Sequence, residues 1–193
     1  MKAYNNFDRK EAYTEKKRLP VGGYVLKILD AQETAPYQDG CTRLVVSFDV
    51  AEGEQKDFYR DQYASQTGED KKWKGTYRIS VPCDDGSDQD TRRRRNFTSF
   101  IVAVEDSNAG YHWDWNEKGL KGKLFGGVFN NKEWEMNGRT GFFTNLARIT
   151  TAEKIRNHDF EIPADTLLVE KPKVEVPENV FMAINEDDGL PFV

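Results

Sequence analysis

One helix-period stripe is set among segments that otherwise read as strands, and that contrast narrows the fold more than any other feature of the chain. Phe97, Phe100, Ile101 and Val104 recur at the spacing of one buried helix face. The pattern predicts a helix over 92–106, stopped by Ser107-Asn108-Ala109-Gly110. Three strand-like runs precede it. Tyr24 to Leu29 is the first. In the second, Arg43 to Ala51, residues Leu44, Val46, Phe48 and Val50 share one face and Ser47 and Asp49 the other. In the third, Trp73 to Val81, the residues Trp73, Tyr77, Ile79 and Val81 are in phase, opposite Lys74, Thr76 and Arg78. Two further runs follow the helix, 121–135 and 139–149, and flank Asn137-Gly138, a strong hairpin turn signal. Residues 52–71 form a long charged connection with room for one helical turn. Thr150 with Glu153 has the pattern of a capping box that opens a short helix near 151–156.

Three strands, one helix and two strands is the element order of a five-stranded OB-type Greek-key barrel, mainly β, whose one helix bridges strands three and four. A mixed α+β domain with an open sheet is the competing architecture. At 193 residues the chain is long enough for one domain with a sizeable core and a tail. The expected division is an N-terminal arm over 1–18, the OB-like body over 19–160 and an acidic tail over 161–193. Pro163, Pro172 and Pro177 in a sparse, charged stretch read as a flexible, disordered linker.

No apolar run approaches the ~20 residues of a membrane span, and the polar first 17 residues do not read as a signal peptide. Cys41 and Cys83 are far apart and lack metal-ligand spacing. They are expected to be free thiols, which fits a reducing cytoplasm. The net charge is −5, but residues 161–193 hold eight acids and two lysines, a net −6, so the other 160 residues sum to +1. A near-neutral body can still present a basic groove, because binding follows the local field.

The chain has no nucleophile elbow, phosphate loop or dinucleotide fingerprint, so no enzyme and no cofactor are expected. Asp84, Asp85, Asp88 and Asp90 lie in one loop without an EF-hand pattern, and are read as solvated rather than as a cation site. Arg92, Arg93, Arg94 and Arg95 would sit at the positive end of the predicted helix, an arrangement the macrodipole disfavours unless acids or phosphates offset it. Aromatics interleave with cations elsewhere: Tyr59, Arg60 and Tyr63; then Lys72, Trp73, Lys74 and Arg78; then Lys132, Trp134 and Arg139 by the hairpin tip. A basic groove with flat side chains on which bases stack is how proteins hold single strands, so these residues and the four arginines are the candidate nucleic-acid contacts. Tyr77 is read as core, Trp73 as an exposed stacking ring, and Trp113 and Trp115 as packing residues that close a loop.

The last eight residues, Glu186-Asp187-Asp188-Gly189-Leu190-Pro191-Phe192-Val193, join acids to an apolar tip. Asp187 and Asp188 suit a basic rim and Leu190, Pro191 and Phe192 a pocket, with proline lowering the entropy cost of docking. This end resembles the acidic tips of bacterial and phage single-stranded DNA-binding proteins, and departs from them in placing Val193 after Phe192. The body, at Gly126-Gly127-Val128-Phe129 and Glu133-Trp134-Glu135, is similar to small replication-associated proteins of phages of Gram-positive bacteria. The resemblance implies a protein that coats single-stranded DNA in replication or recombination and recruits partner proteins through its tail. It leaves room for a homo-oligomer. The alternatives are a protein-interaction module without DNA binding and, further off, a metal-dependent nuclease.

Overall fold

The computed structural model describes residues 18–67 and 69–168. Five strands form one antiparallel sheet: β1 (Gly22–Glu33), β2 (Arg43–Val50), β3 (Thr76–Ser80), β4 (Leu124–Met136) and β5 (Arg139–Thr150), in the order β3-β2-β1-β4-β5. Three helices accompany them: α1 (Phe58–Ala64), α2 (Asp88–Ser107) and α3 (Ala152–Arg156), with a 3-10 turn at Glu117–Leu120. The protein is therefore mainly β. Among the described residues β3 pairs only with β2 and β5 only with β4.

The apolar stripe of α2 packs against β3, β4 and β5. Phe100 meets Phe125 at 5.6 Å and Phe125 meets Phe48 at 5.9 Å, both edge to face. Leu26 and Ile28 of β1 complete this layer, and a bulge between Ile28 and Asp30 brings Ala31, rather than Asp30, onto the core side. A second, smaller core lies on the sheet's other face, where Val25 and Val128 meet Ala152 and Ile155 of α3. Because β4 is covered on both faces, its first half is a continuous buried run and not an alternating one. Gly126 makes this possible: a Cβ there would lie 2.7 Å from Ile155.

Several boundaries differ from the sequence expectation. β3 starts at Thr76, because the Trp73 indole N–H turns back to donate to the carbonyls of Phe48 (3.2 Å) and Gly75 (3.0 Å). α2 starts four residues before Arg92: the Ser87 hydroxyl accepts from the Asp90 N–H at 3.0 Å, and Asp88 and Asp90 occupy the first turn. The four arginines thus follow an acidic first turn and do not burden the helix end. Thr151, not Thr150, caps α3, accepting from the Lys154 N–H at 3.3 Å. The hairpin turn is as expected, with Asn137 and Gly138 both left-handed (φ 53° and 71°). Order continues past residue 160: Thr166 exchanges backbone hydrogen bonds with Asn131 and Glu133, and Asn130 donates to the Ala164 carbonyl.

The cysteines are not free. Cys41 and Cys83 form a disulfide, their Cα atoms 5.5 Å apart. The pairing of Arg43 with Ser80 across β2 and β3 explains it, since one cysteine sits just before β2 and the other just after β3. Asp49, assigned with Ser47 to a polar face, is buried. Its carboxylate accepts from the backbone N–H groups of Val50 (2.8 Å), Tyr59 (2.9 Å) and Arg60 (3.0 Å), and so caps α1 from another segment.

Candidate functional site

On α2, Gln89, Arg92, Arg93 and Asn96 lie at i, i+3, i+4 and i+7, which places four polar side chains on one face. That face looks onto β3, where Arg78 stands between Tyr77 and Ile79, and onto Arg43 at the start of β2. Together they line a cleft of about 200 Å³.

The four arginines of the cleft differ in what neutralises them. Arg93 is only 7% exposed. Its guanidinium binds Asp39 at 2.8 Å, lies 3.8 Å from Asp85 and 3.1 Å from each bridge sulfur. Arg43 shares Asp39 at 2.9 Å and stacks over the Tyr37 ring at 4.8 Å. Its hydrogen bond, with that of the Cys41 N–H, holds the Asp39 carboxyl below the usual carboxylate range, Arg93 adding a smaller charge effect. The Asp85 carboxyl is lowered too, first by its bonds from Ser87 and then by Arg93. Arg78 and Arg92 have no carboxylate in ion-pair range among the described residues, and both are exposed. The cleft therefore joins two fixed, neutralised arginines to two uncompensated ones. Tyr77 lines it as well, half-buried against Phe100, and burial pushes its hydroxyl pKa up.

The other candidate contacts are dispersed. Arg94 points to Asp84 (2.8 Å) and Asp90 (3.1 Å), away from the cleft partners of Arg93, while Arg95 is exposed. The acidic loop thus serves largely as arginine partners. Tyr59 is a correction: it is 7% exposed and packs edge-on to Phe48, so its ring cannot meet a base. Burial, with Asp49 nearby, also raises its hydroxyl pKa. The buried guanidinium of Arg93 likewise offers little surface for direct contact. Arg60 is exposed but paired with Asp57 and Asp61. Trp73 is half-buried and bonded to the backbone, contrary to a freely exposed stacking ring. It touches Tyr63, which is 38% exposed and carries Lys71 over its face at 5.9 Å. Lys72 and Lys74 are exposed nearby, with Gln66 bonding the Lys72 backbone on both sides.

At the hairpin, Lys132 and Arg139 are exposed and Trp134 lies over Gly141, where a Cβ would stand 3.0 Å from the indole. Phe142 and Phe143 are exposed as well. Trp113 packs on Phe97 as expected, but Trp115 is 79% exposed. Asp187, Asp188, Leu190, Pro191 and Phe192 lie outside the described residues. Among the described residues, the one group with metal-ligating potential is Cys41, Cys83 and Asp85, whose sulfurs are bonded to each other.

Sequence reasoning missed Arg43, Gln89 and Asn96. The polar stripe at 89, 92, 93 and 96 on the helix is the signal that points to Gln89 and Asn96; no local signal points to Arg43. Comparison with protein-family models and with curated proteins finds no match.

Proposed function

We propose that the chain binds single-stranded DNA, with the β3–α2 cleft taking backbone phosphate. The observation that carries this is the pair Arg78 of β3 and Arg92 of α2, which both line one cleft and have no carboxylate partner among the described residues. Arginine matches phosphate geometry, and uncompensated cations release counterions when phosphate replaces salt. Elsewhere on the surface, Tyr63 with Lys71 and the exposed hairpin side chains offer flat rings on which bases could stack. The sheet order supports an OB-type barrel in this reading. It is the order of such a barrel opened between its third and fifth strands, with α2 touching both of those strands. Coating of exposed strands in phage replication or recombination, and recruitment of partner proteins by Asp187 to Phe192, complete the proposal.

A second reading is favoured by the apolar hairpin flank. Phe142 and Leu167 are exposed and in phase across β4, since Lys132 pairs with Phe143 on one side and Thr166 on the other and each is one residue removed from that row. Such a patch suits a protein partner. Anisotropy titrations with labelled single-stranded and duplex DNA across salt concentrations decide between them. Affinity for the single strand that falls steeply with salt is expected. Absence of binding at low salt leaves the interaction module.

A further inference from the structure

We propose that the Cys41–Cys83 bridge sets the affinity of the β3–α2 cleft for phosphate, so that reducing the bridge weakens binding there. The proposal rests on the reading of that cleft as the DNA phosphate site. Cys41 lies two residues before Arg43, and Cys83 two residues before Asp85. The bridge thus ties the entrance of β2 to the loop that leads into α2. Arg93 sits across it, with one guanidinium nitrogen 3.1 Å from both sulfurs and the other 2.8 Å from Asp39. Asp39 in turn holds Arg43. One covalent bond therefore fixes the relative places of two cleft arginines and their shared carboxylate.

Reduction by a dithiol breaks the S–S bond. Two electrons and two protons pass to the sulfurs, giving two thiols, and the reductant becomes a cyclic disulfide. Cys83 is only half-buried, so a small dithiol has a path to it. The unbonded sulfurs cannot stay at bonding distance, and they separate beneath the guanidinium that rests on both. Arg93 loses its seat, Asp39 shifts with it, and Arg43 follows. Arg78 and Arg92 on a cleft whose frame is already held by Arg93 and Arg43 bind phosphate better than on one that must be gathered, because the ordering cost is already met. Linkage makes the effect reciprocal: bound phosphate must protect the bridge by the same factor that the bridge favours phosphate.

The test uses the full chain, oxidised and dithiol-reduced, titrated with a labelled single-stranded oligothymidine, with circular dichroism on both forms. Reduction is expected to weaken binding roughly fivefold or more, and saturating oligothymidine to shift the bridge's reduction equilibrium by the same factor. An Arg78→Gln, Arg92→Gln double variant should bind weakly in both states and lose the redox dependence. Equal affinity in the two states overturns the role of the bridge and leaves the DNA reading intact. No binding in either state at low salt overturns the DNA reading itself. A redox effect that survives in the double variant places the coupling elsewhere, and a reduced chain that is unfolded makes the bridge a staple only. Either result overturns the proposal.

Discussion

The two ends of the sheet are held by different means. At one end β3 is five residues long and pairs on one edge, and its neighbourhood is fixed by a disulfide, a buried arginine and shared carboxylates. At the other, β4 and β5 are 13 and 12 residues long and run as one ladder closed by Asn137-Gly138. A long hairpin with a suitable turn supplies its own register. A short edge strand cannot, and its place depends on bonds between residues far apart in sequence. The end that needs such bonds is also the end that gathers the arginines. Charge there is organised by tethers, whereas the hairpin end displays aromatic and apolar side chains on a self-sufficient ladder.

The comparison can be broken most directly at the bridge. Cys41→Ser with Cys83→Ser opens a loop whose ends are 42 residues apart, and should cost about 4 kcal/mol in urea unfolding. A loss under ~1 kcal/mol would mean that β3 holds itself as the hairpin does. Next in size, Arg78→Gln and Arg92→Gln should each weaken oligonucleotide binding by roughly 1.5–3 kcal/mol and lower the salt slope by about one. Lys132→Gln should do less. If the hairpin variant proves the more damaging in titrations across salt, the cationic end has been misplaced.

Gly138→Ala tests the other end. Its left-handed backbone (φ 71°) should make alanine cost about 1–2 kcal/mol, read as a lower thermal midpoint with oligonucleotide affinity unchanged. The smallest effect concerns pH. The Asp39 carboxyl titrates below its ordinary value when folded, so its contribution is present above the unfolded value of about 4 and is lost as pH falls through the folded value. Asp39→Asn should therefore flatten the acid limb of a stability–pH curve. An unaltered limb would show that Arg43 and Arg93 do not depend on it.

Much of the fold was legible because its signals are local. The stripe from Phe97 to Val104 needed only helical spacing, and Asn137-Gly138 needed only two positive φ angles. What escaped was settled by distant contacts. Nothing near Cys41 announces Cys83, because their meeting follows from the register of β2 with β3. Tyr59 reads as one more aromatic beside a cation, yet Phe48 encloses it. Trp73 keeps the parity of a strand residue, but its indole N–H finds carbonyls that pull it off the strand. The candidate cleft was half legible: Arg78, Arg92 and Arg93 stood out by charge, and Arg43 needed the sheet to bring it alongside.

The carboxylate of Asp49 has a consequence for the order in which the chain folds. α1 is seven residues long, too short to persist alone, and its first N–H groups are received by a side chain on β2. The helix cannot outlive the strand that caps it. The amides of Tyr59 and Arg60 should therefore exchange with deuterium in step with those of β2, as one opening unit, and not with the early fraying expected of a short surface helix. Asp49→Ala should uncouple the two rates, releasing the helix amides first.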